Sequence, residues 1–251
     1  MRYKNIYFLH YATLFPLKKS KKDAKTCSKT HISPHLAYLC LGKVKKKHMN
    51  QLPPVVKNLL IINILCFAAM EVGRMYLVDI NGILGLHFCL MPTFRLWQPL
   101  TYMFMHGSLE HLFFNMFALW MFGRILEQVL GSRQFVIYYL VCGLGAALTQ
   151  ELAQLLQVAT YGSLFDVSVV GASGAVYGIL LAFGYLFPEE RMFIFPLPVP
   201  IKAKYFVVGY AVIELSAALS QRGDGVAHCA HLGGMLFGFL LLRHWRRMRI
   251  R

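Results

Sequence analysis

Six apolar stretches, several close to the roughly 20 residues needed to cross about 30 Å of hydrocarbon, place this chain in a lipid bilayer. They run from about Leu59 to Val78, His106 to Leu126, Phe135 to Leu156, Val169 to Phe187, Tyr205 to Leu219 and Val226 to Leu242. Backbone groups in lipid must find their hydrogen bonds within the segment, and these runs lack the two-residue alternation of barrel strands, so each is expected to be a helix. The expected fold class is an all-α membrane protein, a six-transmembrane-helix bundle. Composition agrees: 57% of the 251 residues are hydrophobic and 15% charged, with a mean hydropathy of +0.51, whereas charged residues run near 25% in soluble domains. The first stretch is the weakest, because Glu71 and Arg74 interrupt it; three residues apart, they are expected to pair near an interface.

Charge sets the orientation. Residues 1–48 hold 12 Lys and Arg against the single acid Asp23, so +11 of the formal +15 lies there. The end of the chain, "RHWRRMRIR", is basic, as is the turn carrying Arg191, Lys202 and Lys204. With six spans both termini share one side, and an excess of Lys and Arg marks that side as cytosolic. A bacterial inner membrane is the expected location. The loops with Asp79, Asp166 and Asp224 then face outward. Membrane orientation accounts for the basic residues without a nucleic-acid partner. The expected organisation is a basic extension at 1–48, a membrane domain at 49–245 and a basic tail at 246–251. Met49 lies just before "NQLPPVVKNLLIINIL", a short start leading directly into the first span, and is the expected start of the working protein. The six cysteines, Cys27, Cys40, Cys66, Cys89, Cys142 and Cys229, show no CxxC spacing and read as free thiols.

Polar residues inside spans are expensive in lipid and are functional candidates by default. His111 and Asn115 lie four residues apart, on one face of the second helix. Ser173 opens the fourth, and His228 and His231 open the sixth. Helices two, four and six run in the same direction, so His111, Asn115, Ser173 and His231 share one depth near the outer face. Gly174 with Gly178, and Gly234 with Gly238, have the spacing that lets membrane helices approach backbone to backbone. If those faces meet, the Ser173 hydroxyl and the His231 imidazole come within hydrogen-bond reach. A serine hydroxyl becomes nucleophilic when a base takes its proton, and an imidazole with a pKa of about 6.5 suits that task. His111, Asn115 and the Ser173 amide at a helix N-terminus are suited to stabilise an oxyanion. Asp224, roughly 10 Å along a helix from His231, and Glu214, on another span, do not stand out as a third member, so a Ser173–His231 dyad is the expected form.

Chemistry alone leaves other readings open. A serine or histidine in a membrane helix is commonly a packing or hydrogen-bonding residue. His106, His111, His228 and His231 offer a metal site, but HExxH is absent and no carboxylate sits at ligand spacing. A transporter or proton relay would use buried His, Asn and Glu214, although no inverted repeat is visible.

These residues resemble the rhomboid intramembrane serine proteases. The family's G-x-S-G is matched by Gly171, Ala172, Ser173 and Gly174; its His and Asn four residues apart by His111 and Asn115; its A-H-x-x-G-x-x-x-G by Ala230, His231, Gly234 and Gly238. "EQVLGS", Glu127 to Ser132, is similar to the structural turn after the second helix. Tyr177 is similar to the tyrosine that supports the catalytic histidine. "HFCLMPTFRLWQPLTYMF" is similar to the interfacial first loop, with Gln98 where many members carry arginine, which puts that loop's anchoring in question. The likeness runs from roughly Pro53 to Trp245. It implies Ser173 as nucleophile and His231 as base, then acid, with no cofactor and no metal. The implied substrates are transmembrane segments of other proteins, cut beside a small residue, with the lipid bilayer as the other partner. The glycines of "SQRGDGV", Ser220 to Val226, suit a movable cap. The alternative is a catalytically silent relative that binds membrane clients.

Overall fold

A computed structural model describes residues 52–162, 168–192, 200–220 and 227–249. The basic extension, Met49, Cys27, Cys40, Asp166, Asp224 and the cap sequence after Ser220 lie outside the described residues. The chain divides between Pro53 and Pro54, and the helical body begins at Pro54.

Nearly all regular structure is helical. Helix α1 spans Pro54–Met75, followed by short α2 (Ile80–Leu84) and α3 (Gln98–Thr101) with a 3₁₀ turn at Tyr102–Phe104. Next, α4 (Leu109–Ala118) passes through a π-helical turn at Leu119–Gly123 into α5 (Arg124–Leu130). Then come α6 (Ser132–Tyr161), α7 (Ser173–Leu186), α8 (Ala203–Leu219) and α9 (His228–Arg249). Two antiparallel two-residue strands, Arg191–Met192 and Ile201–Lys202, join α7 to α8.

Two of these helices, α1 and α6, are long and apolar enough to cross a membrane by length and composition. The others depart from six full spans for local reasons. The α4–α5 run is broken by its π turn, α7 has 14 residues, and the far half of α9 carries Arg243, His244, Arg246 and Arg247. The bundle has the polarity of a body with apolar surroundings: Leu65, Phe114, Val208, Ile213 and Leu236 are exposed, while Asn63, Asn115, Glu127, Glu214 and His231 are buried. The expected Glu71–Arg74 pair is present at 2.7 Å.

The core is where α6, α7 and α9 pack, through small side chains. Gly145 of α6 faces Phe237 of α9, and Gly233 faces Thr149. The Tyr138 hydroxyl donates to the Gly178 carbonyl at 2.7 Å, tying α6 to α7, and Tyr102 donates to the Gly143 carbonyl at 2.7 Å. These hydroxyls satisfy second lone pairs of helical carbonyls in a dry interior.

The "EQVLGS" turn serves as a helix cap. The buried Glu127 carboxylate accepts from the Val55 and Val56 amides, at 3.0 and 2.8 Å, and from the Ser132 hydroxyl at 2.6 Å. A negative charge thus meets the positive end of α1, whose first amides have no partner within the helix. In the loop before α3, Gln98 resolves the anchoring question: it is fully buried, and its Oε1 accepts from the His87 and Arg95 amides while its Nε2 donates to the Ile83 and Thr93 carbonyls. A neutral amide with two acceptor lone pairs and two donors cross-links this loop without burying a charge.

Candidate active site

Ser173 is the first residue of α7. Hydropathy predicts a helix from Val169, but Val169 instead exchanges both backbone hydrogen bonds with Leu86 at 2.8 Å, and Gly171 has φ +134°. Only glycine adopts that conformation readily. A Cβ at Gly171 would also lie 2.7 Å from Cε1 of His111. The chain therefore arrives extended, turns at Gly171 and starts its helix at the serine. Ser173 and the amides after it occupy an open helix N-terminus.

His231 lies in the first turn of α9, and its Nε2 is 2.8 Å from Ser173 Oγ. Glycine makes that approach possible. A Cβ on Gly234 would collide with the Gly174 carbonyl and lie 3.2 Å from its Cα, and one on Gly178 would meet the Gly234 carbonyl at 3.0 Å. Gly238 differs from the expected pairing: its open side faces the Tyr138 hydroxyl and the Cys142 sulfur of α6.

The other side of the imidazole corrects the expectation of a bare dyad. His231 Nδ1 lies 3.0 Å from Oε2 of Glu214, a buried carboxylate of α8. An ionised carboxylate only accepts, so the Nδ1 proton points to it, and Nε2 is left to accept from the serine hydroxyl. Tyr177 adds two restraints. Its ring stacks on His231, centroids 4.2 Å apart and planes 9° apart, and its hydroxyl donates to Glu214 Oε1. His228 Nδ1 reaches the same Oε2 at 2.7 Å.

Glu214 and His228 are thus candidate site residues that spacing along the chain does not assign. One signal existed, an acid in the middle of the apolar run Tyr205–Leu219, where a charge without a partner is costly. Its partner lies 17 residues away on another helix, so no local spacing predicts the contact.

His111 sits in the first turn of α4, where the Ser108 side chain accepts from its amide at 3.1 Å, and its Nδ1 lies 3.4 Å from the Gly107 amide. Asn115, one turn on and buried, donates one amide hydrogen to the His111 carbonyl at 2.9 Å; its second remains for another acceptor. A cavity of about 1850 Å³ is lined by His111, Asn115, Ser173, Tyr177, His228 and His231 among others. Among the described residues the histidines do not form one metal cluster: His106 packs edge-on against His111 with centroids 5.1 Å apart, while His228 and His231 converge on Glu214.

The sequence is similar to known proteins. Residues 93–247 match the family model described as the Rhomboid domain. The chain is 36% identical over 142 residues to Rhomboid protein 1, mitochondrial, of Saccharomyces cerevisiae, covering 55% of this chain and 38% of that protein. It is 28% identical over 153 residues to Rhomboid protease AarA of Providencia stuartii, covering 58% and 54%. It is 26% identical over 184 residues to Rhomboid protease GluP of Bacillus subtilis, covering 69% and 32%. The matches span between about a third and about half of the length of these relatives. With more than half of its length matched by the family model and a buried polar site inside an apolar helical bundle, the chain is a membrane protein that belongs to the rhomboid family.

Proposed function

We propose that the chain is an intramembrane serine endopeptidase that cleaves transmembrane segments of other proteins. The observation that carries this is the Ser173 Oγ to His231 Nε2 distance of 2.8 Å, with the imidazole proton directed to Glu214. His231 takes the serine proton as Oγ attacks the peptide carbonyl, then returns it to the leaving amine. The imidazolium formed in between is stabilised by the Glu214 carboxylate behind it. The tetrahedral oxyanion is assigned to the Ser173 amide, the second amide hydrogen of Asn115 and the His111 ring.

The six-span serpentine belongs to this proposal, with the organisation 1–48, 49–245 and 246–251. So does placement of the site within the bilayer: α7, at 14 residues, rises only about 21 Å, about 9 Å less than the hydrocarbon core. With its other end at the cytosolic face, Ser173 lies inside the slab, and the cavity admits water to it. One of these relatives is named as mitochondrial and two come from bacteria, and membership of the family supports a membrane location in general. The proposed location is a bacterial inner membrane, and the basic ends support an orientation with both termini cytosolic.

Purified chain in detergent should cleave a model transmembrane substrate, and Ser173→Ala and His231→Ala should each abolish cleavage without lowering the melting temperature. A fluorophosphonate should label the wild type and leave Ser173→Ala blank. Cleavage by either variant at the wild-type rate overturns the assignment, and an inactive, unlabelled wild type favours a client-binding relative.

A further inference from the structure

The proposed peptidase needs one imidazole on Glu214, yet the structure holds two. His228 and His231, three residues apart on the first turn of α9, both aim Nδ1 at the same carboxylate oxygen, Glu214 Oε2, at 2.7 and 3.0 Å. The ligand atoms of all three lie within 4.8 Å of one another. All three side chains are nearly buried, with 13% of His228, 10% of His231 and 7% of Glu214 exposed. Two imidazole nitrogens and one carboxylate oxygen form a donor set typical of zinc, which binds them at about 2.0–2.2 Å. In a tetrahedral site that length puts ligand atoms about 3.4 Å apart. Reaching that spacing moves the imidazole nitrogens about 0.4 to 0.7 Å further from the carboxylate oxygen. His228 and His231 line the same cavity as Ser173, so an ion can reach their nitrogens by the route open to water.

We propose that Glu214, His228 and His231 form a Zn²⁺ site whose occupation switches the peptidase off. This rests on the reading of Ser173 and His231 as nucleophile and base. Zinc takes the Nδ1 lone pairs of both neutral imidazoles and one carboxylate lone pair, and each imidazole proton moves from Nδ1 to Nε2. No proton is lost. The Nε2–H of His231 then donates to Ser173 Oγ and has no lone pair to accept the serine proton. Glu214 is at the same time committed to the metal. Acyl transfer cannot begin, while the serine, the cavity and the oxyanion donors are unchanged, so removing the ion restores activity.

The test uses the full chain in detergent, freed of metal with a chelator. Micromolar zinc should inhibit cleavage, and excess EDTA should restore it. With each protein referred to its own metal-free rate, His228→Ala should need at least about tenfold more zinc for half-inhibition. The Ser173→Ala chain, whose three ligands are intact, should bind Co²⁺ with the intense visible absorption of a tetrahedral site, and Ser173→Ala/His228→Ala should not. This spectrum decides the metal site even if the wild type proves inactive, so the two proposals fail separately. Where His228→Ala does not fold, His228→Asn replaces it. Equal zinc sensitivity of wild type and variant, activation by zinc, or no cobalt band in Ser173→Ala would each overturn the site.

Discussion

Nδ1 of His231 lies 3.0 Å from the Glu214 carboxylate, so the imidazole is held from behind by an acid of another helix while its Nε2 faces Ser173. Glu214→Gln keeps the volume but removes the charge, and an amide that turns its NH₂ toward Nδ1 imposes the wrong tautomer. As a positioning residue, Glu214 should show a fall in kcat of about 10²- to 10⁴-fold, the upper limit being the loss seen when a triad aspartate is made neutral. KM and melting temperature should change little. A variant that loses stability and raises KM with kcat intact would show that the carboxylate only supports the fold.

Asn115→Ala should lower turnover by up to about 10²- to 10³-fold, the range for one oxyanion donor. The loss should be smaller if the Ser173 amide and His111 carry much of the charge. Asn115→Ala combined with His111→Ala should be far worse than either alone. Normal cleavage by all three variants would return both residues to a structural role.

Gly234 lies against the Gly174 backbone, and Gly171 combines a φ of +134° with contact to the His111 ring. Gly234→Leu should separate α7 from α9 and lower both activity and melting temperature. Gly171→Ala should act more locally, costing about 1–3 kcal/mol of backbone strain and displacing His111. Thermal denaturation of each variant beside its cleavage rate checks both, and full stability with full activity in either would contradict the packing described.

Lys202, at the end of the second short strand, and Lys204, in the first turn of α8, hold the Glu189 carboxylate well below its ordinary range, at about 2. A depressed carboxylate stabilises the folded state above its unfolded pKa. That contribution declines as pH falls below about 4.5 and is gone below about 2. The melting temperatures of wild type and Glu189→Gln should therefore differ most near neutral pH and converge as pH falls through that window. A difference independent of pH would exclude the charge as its source. Because the pair is partly exposed, salt should shrink it as well.

Hydropathy was enough to identify a helical membrane protein, because satisfying backbone groups in lipid leaves few alternatives and long apolar runs record that requirement locally. Recurrent spacing was enough to single out His111, Asn115, Ser173 and His231, because a polar group within such a run demands an explanation. What spacing could not express was contact between helices. The α7 start at Ser173 depends on the pairing of Val169 with Leu86 and on the turn at Gly171, both made against other segments. Gly238 meets α6 because of how three helices pack, although its sequence spacing from Gly234 suggests one smooth face toward α7. Above all, Glu214 looks misplaced in its own apolar run and becomes intelligible only when folding brings His231, His228 and Tyr177 around it. Periodicity reports which face of a helix is polar, and only the packed bundle decides what that face meets.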